Sequence, residues 1–307
     1  MAGCISSLLV SSLASSSYSG YKRAWTLLAQ CMRQLKVPYH GTHSLPLNTN
    51  LLMLFIGFLH MTGYAPASIT SYTCAIGYVH KFKSLPDPTS SFIIQRLLAA
   101  ITKVNTRCDT RLPITITVLR QLVLSLGQTS LNTYIRFLLK AMFLVAFYGL
   151  MRIGEITTDL KGQATLMIEH LTFEQGRAIL SISHFKHNSS SRPFQIVLSK
   201  QRDDTLCPLR ALQSYMQMRG NQAGPLFCFP GLQPVSRSFF INKLNFLLNF
   251  CGLSRNLYKS HSFRIGAASF YASLGLSDEQ IRLLGRWKST AFRKYIRCQR
   301  VIGALPE

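Results

Sequence analysis

Acidic residues are the scarcest feature of this chain: 11 Asp and Glu stand against 34 Lys and Arg in 307 residues, for a formal net charge of +23. Charged residues make up only 15% of the total, so the imbalance comes mainly from missing acids. The shortage runs the whole length. Residues 1–112 carry ten bases and two acids (10 − 2 = +8), and residues 113–307 carry 24 and nine (24 − 9 = +15). A chain basic on both sides is unlike one with a single basic tail, and suits a protein that grips a polyanion with two bodies. Long apolar runs are missing too. Leu51–Met61 and Ala141–Met151 are eleven residues each, whereas a membrane span needs about 20, so both read as core helices. The eight cysteines, at 4, 31, 74, 108, 207, 228, 251 and 298, form no Cys-x-x-Cys and have no histidine at zinc-finger spacing. They read as buried small hydrophobes in a reducing compartment, with no metal site. A Gly-rich phosphate loop, a Walker pattern and an internal repeat are all absent, which argues against a nucleotide cofactor. The Ser-rich N-terminus has no basic n-region, and Gly3 is one place too late for myristoylation. A soluble, intracellular protein is expected.

What is present is a globular composition, 48% hydrophobic, long enough for two cores. Tyr21, Trp25, Leu28, Met32 and Leu35 recur at three- and four-residue steps, predicting a helix over Tyr18–Leu35. Asn48 or Asn50 caps a second over Leu51–Met61, Ser68 starts a third running to Lys83, and a fourth spans Ser91 to Lys103. These make an N-terminal helical bundle, 1–105. The polar, proline-terminated stretch 106–113 is the expected linker to a second domain, 114–307. There, Val118–Leu126 and Leu131–Leu150 read as helices. Leu166–Phe173, Ala178–His184 and Pro193–Leu198 read as three antiparallel strands joined by hairpins. Helices follow over Pro208–Arg219, Ser238–Cys251, Ser262–Leu274, Ser277–Gly285 and Thr290–Cys298. The fold class is mostly α with one small antiparallel sheet.

Four short motifs in this second half carry the chemistry: Tyr148-Gly-Leu-Met-Arg152-Ile-Gly-Glu155, His261-Ser-Phe-Arg264, Gly285-Arg286-Trp287 and Tyr295-Ile-Arg297. Each residue alone has an ordinary structural reading. Arg152 suits a helix start, His261 an N-cap, Trp287 a core anchor and Tyr295 an amphipathic helix. Together they supply what holding and attacking a phosphodiester requires. Guanidinium is permanently charged and forked for phosphate oxygens, imidazole and indole donate further hydrogen bonds, and a phenol can act as nucleophile. His184 and His187 have no third ligand nearby, and read as hairpin residues facing solvent or DNA.

In that order, these motifs resemble the tyrosine recombinase (phage-integrase-like) family. Ser-Leu-Ala-x-Ser-Ser followed by Tyr-x-x-Ala-Trp25, with Asp109-Thr-Arg-Leu-Pro-Ile-Thr115, is similar to the N-terminal domain and linker of its eukaryotic mobile-element branch, which includes retroelement and Crypton-like members. The resemblance implies a SAM-like core-binding bundle followed by the recombinase catalytic domain. It implies phosphate contacts from Arg152, His261, Arg264 and Trp287, a nucleophile at Tyr295 with Tyr258 and Tyr271 as the next candidates, and an orienting Glu155. Trp287 stands where most of the family has histidine, and its indole N–H can make the same single donor bond. A hairpin lysine should protonate the leaving 5′ oxygen: Lys186 is the first assignment and Lys200 its competitor. Lys22, Arg23, Arg286 and Lys288 are expected to contact DNA. The implied partner is double-stranded DNA, bound by a dimer or tetramer in the nucleus without a cofactor. A domesticated DNA-binding protein without activity and a type IB topoisomerase-like nicking-closing enzyme are the alternatives.

Overall fold

The computed structural model describes residues 12–13, 15–104, 109–158, 166–183 and 193–297. The chain divides into two compact units, Met1–Asp109 and Thr110–Glu307. Of the expected linker, 106–108 lie outside the described residues.

Among the described residues the first unit packs four α-helices, α1 (Ser15–Gln34), α2 (Thr49–Met61), α3 (Pro66–Phe82) and α4 (Phe92–Val104). The Asn48 side chain accepts from the Leu51 amide and so opens α2. Helix α3 begins two residues before the predicted Ser68. Pro66 occupies its first turn, where a missing N–H costs nothing. Leu28, Met32, Leu52, Phe55, Ile56, Leu59, Ile69, Ile76 and Ile94 form the apolar centre. Buried His80 ties α3 to the segment before α2: its Nε2 accepts from the Leu47 amide at 2.9 Å, while Nδ1 meets Ile76 O at 2.8 Å.

The second unit is built around α6 (Thr133–Tyr148), apolar on all sides and buried from Leu138 onward apart from Lys140. It packs against α5 (Ile116–Gln128), α8 (Pro208–Arg219) and α10 (Ser262–Ser273). Phe143 joins Phe240 of α9 (Arg237–Phe250) and Phe263 of α10, with ring centroids 5.3–6.0 Å apart. The sheet has the order β1-β2-β3, with β1 Leu171–Glu174, β2 Arg177–Ile182 and β3 Phe194–Ser199, all antiparallel. Its first strand is shorter than predicted, because a 3-10 turn occupies Ile168–His170. Helix α11 covers Asp278–Leu284, and the predicted helix after Thr290 is a 3-10 turn, Thr290–Tyr295. A short helix that the periodicity did not reveal, α7 (Ile153–Ile156), follows α6. Among the described residues no helix is long and apolar enough to cross a membrane.

Candidate active site

After α6 the chain turns sharply at Leu150, whose φ of 44° is a rare conformation for a branched side chain. The turn leaves Arg152 as N-cap of α7 and exposes the Leu150 carbonyl to two guanidinium groups. Arg264 donates to it through Nη1, and Arg286 through Nη2 at 3.1 Å. Glu155 sits one helical turn from Arg152. Its Oε2 accepts from the Arg152 amide at 2.9 Å, its Oε1 from Arg152 Nη1 at 2.8 Å, and Oε2 also from Arg286 Nη2 at 2.8 Å. Burial works against the Glu155 carboxylate, but the charges of Arg286 and Arg152 outweigh it and lower its pKa.

Arg286 was expected to face DNA, and the structure corrects this. Its side chain is 1% exposed, and its Nη1 also donates to Gly149 O at 3.3 Å. Its φ of 55° turns the guanidinium inward, where an ion pair with Glu155 compensates the buried charge. Lys288, two residues on, is exposed, as are Lys22 and Arg23 on α1.

Helix α10 brings His261 and Arg264 to the same place. Arg264 is 1% exposed and donates Nη2 to Gly285 O at 2.8 Å, while its Nε has no acceptor among the described residues. Burial, and then the like charge of Arg152, push its pKa down to about 9, so it remains cationic at neutral pH. The Trp287 ring lies against this guanidinium, 4.4 Å from ring centroid to Cζ. Gly285 makes room for it, because a Cβ there would stand 1.7 Å from the indole. Tyr295 completes the cluster, with its ring centroid 4.9 Å from His261 and 5.7 Å from Trp287.

The tyrosine segment is fastened to α10. Ser269 Oγ donates to Tyr295 O at 3.1 Å and accepts from the Arg297 amide at 2.9 Å, and the Arg297 guanidinium donates to Arg111 O. The other two tyrosines considered are elsewhere in the packing. Tyr258 is buried, and Tyr271 donates its hydroxyl to Tyr148 O at 2.8 Å with its pKa pushed up to about 12 by burial.

Arg152, His261 and Arg264 line a cavity of about 530 Å³. Arg111, Arg237 and Lys259 share its wall, and Glu155 is the one acid among the described residues that line it. With histidine neutral, five cations and one carboxylate leave the lining at 5 − 1 = +4. Such a concave, cationic surface concentrates an anion such as a phosphodiester. Arg237 and Lys259 belong to no motif noticed in the sequence, and Arg111 was noticed only within the Asp109–Thr115 linker stretch, not as a site residue. The nearness of Lys259 to His261 could have pointed to that lysine.

Lys186 lies outside the described residues, as do His184 and His187. Ile182 pairs with Phe194 at one end of the sheet, and the Phe194 ring lies 5.6 Å from the guanidinium of Arg286, beside the cluster. Lys200 is at the other end, its amide bonded to Gly176 O in the β1–β2 turn. Six residues of strand from Phe194 correspond to about 20 Å.

Neither a family model nor a curated protein matches the chain by sequence. Solved structures do match its fold, which is that of the tyrosine recombinase catalytic domain preceded by a helical unit. A lambda integrase dimer bound to a core site is similar at 13% identity with a TM-score of 0.64, over 98% of this chain and 77% of the other. The Tn1549 transposon integrase in complex with transposon right-end DNA is similar at 11% and 0.59, over 90% and 94%. The XerH site-specific recombinase, in a post-cleavage complex with a palindromic difH substrate, is similar at 14% and 0.55, over 83% and 67%.

Proposed function

We propose that this chain is a site-specific DNA recombinase or integrase of a mobile element, cleaving and rejoining strands through a 3′-phosphotyrosyl intermediate. The observation that carries this reading is that Arg152, His261 and Arg264 line one cationic cavity from separated stretches of chain, with the Trp287 ring against the Arg264 guanidinium and the Tyr295 ring against those of His261 and Trp287. The fold it shares with recombinases and integrases solved on DNA supports the same reading.

In the proposed reaction the scissile phosphate is held by Arg152 and Arg264, the latter keeping N–H groups of its five-donor fork beyond the two given to Leu150 and Gly285. Oxygen Oη of Tyr295 attacks phosphorus, and His261, with its ring 4.9 Å from the tyrosine ring, takes the phenolic proton. The bond from phosphorus to the 5′ oxygen breaks, and that oxygen receives a proton from Lys186. The phosphodiester energy is kept in the tyrosyl linkage. A free 5′ hydroxyl of a second strand then reverses the steps and regenerates Tyr295, so no cofactor is consumed. Charge stabilisation by the arginines and Trp287 supplies most of the acceleration. Glu155 keeps Arg152 in register, and protomers assemble as a dimer or tetramer on duplex DNA, as the lambda integrase neighbour does as a dimer.

The test is the full chain on nicked duplex DNA from its element's ends. Covalent protein–DNA complex and recombinant product are expected, with Arg152→Ala slowing attachment on the order of 10²–10³-fold. Relaxation without recombinant product would make the protein a nicking-closing enzyme. Binding without attachment would make it a DNA-binding protein only.

A further inference from the structure

The cavity holds more positive charge than one phosphodiester can use. Its lining carries a net +4, and a single phosphodiester brings −1. The arginines of the motifs, Arg152 and Arg264, share the wall with three further cations. Arg237 opens α9, whose N-cap Ser236 accepts from the Phe239 amide, and Val235 O accepts from the Thr158 amide, so the segment adjoins α7. Lys259 is held in a tight turn in which the Ser262 amide donates to Lys259 O at 2.8 Å and the Lys259 amide to Ser262 Oγ at 3.0 Å. Beside that turn runs the stretch containing Arg111, joined by Leu112 N to Leu257 O and Ile114 N to Ser262 O. Arg237 and Lys259 are exposed and, among the described residues, enter no ion pair, in contrast to Arg152 and Arg286. Backbone carbonyls and turns thus fix where three further cations emerge on the wall of the same cavity.

We propose that Arg237, Lys259 and Arg111 form a second phosphate subsite, which holds the phosphodiester next to the scissile one on the same DNA backbone. The proposal rests on the function argued above and deepens it. Two consecutive phosphates held at fixed points set the register of the strand, so the subsite decides which phosphate meets Tyr295. Such contacts orient a strand without reading its bases.

The experiment is a cycle between protein charge and DNA charge, with the full chain on a nicked duplex. Each phosphate flanking the nick is replaced in turn by an uncharged methylphosphonate, and binding is measured for the parent chain and for Arg237→Gln/Lys259→Gln. Both side chains are exposed, so the variant keeps the fold. At one flanking position the neutral linkage should weaken the parent on the order of tenfold, and weaken the variant hardly at all. The slope of log K against log salt should also fall by roughly 1.8 for two lost contacts. Losses that simply add at every flanking position would overturn the subsite. Covalent attachment of the parent to unmodified DNA is read in parallel. If it persists while the losses add, the subsite fails and the recombinase reading stands. If it is absent, that reading fails and the subsite with it.

Discussion

Replacing Glu155 with glutamine keeps the shape of the side chain and removes only its charge, which makes Glu155→Gln the sharpest probe of how the cluster is held. The carboxylate is 6% exposed and bonds Arg152 twice and Arg286 once, at 2.8–2.9 Å. Arg286 is 1% exposed, so the variant strands a buried guanidinium beside two others. Removing one partner of a buried pair in this way costs about 3–5 kcal/mol. At a urea slope of about 2 kcal/mol/M, the midpoint for the second unit falls by ~2 M. Trp287 reports that unit by fluorescence once Trp25, the other of the two tryptophans, is changed to phenylalanine. Arg286→Met is the comparison. It removes the buried cation and leaves Glu155 bonded to Arg152, so it should cost less than Glu155→Gln. A Glu155→Gln protein within about 0.5 kcal/mol of its parent, or less destabilised than Arg286→Met, would refute this account of the cluster.

Three further outcomes follow from the same geometry. Because the Glu155 pKa is lowered in the fold, its contribution to stability is present above the ordinary carboxylate range and disappears as pH falls through the folded value; the Glu155→Gln protein should therefore have a flatter acid-stability profile, and an unchanged profile would remove Glu155 from acid unfolding. Since Ser269 and Arg297 fasten the tyrosine segment to α10 of its own chain, mixing Tyr295→Phe and Arg152→Ala proteins should form no covalent complex, whereas recovery on mixing would mean that Tyr295 is delivered to a neighbour. On DNA with sulfur at the 5′ bridging position, whose thiolate leaves unprotonated, Lys186→Ala should recover activity lost on normal DNA while Lys200→Ala shows no such rescue; rescue of Lys200→Ala alone would transfer the acid role to it.

The elements were legible where periodicity and caps agree. Pro208–Arg219 is a helix over the very residues read from sequence, and the apolar run ending near Met151 is the buried α6. Boundaries slipped where the terminal turn tightened, as at Thr290–Tyr295, and where proline began a helix ahead of the apparent cap, as at Pro66. The motif residues were visible because their spacing is distinctive. The inward turn of Arg286 was not, since it depends on a positive φ and on Glu155, 131 residues away in the chain. Arg111, Arg237 and Lys259 meet at the cavity only through folding, and nothing local marks Arg237 or Lys259 out from other surface cations. Placing Lys200 at the end of β3 needed the strand register, which sequence patterning leaves open.

The central claim is that Tyr295 becomes bonded to DNA, and peptide mapping of trapped complexes tests it most directly. The full chain is incubated with nicked duplex and digested with protease and nuclease, and the peptide retaining a nucleotide is sequenced by mass spectrometry. The account predicts a single modified peptide with a 3′-nucleotide on Tyr295, and none from the Tyr295→Phe protein. A nucleotide on Tyr258, on Tyr271 or on any other residue, or an attached peptide from Tyr295→Phe, would contradict it.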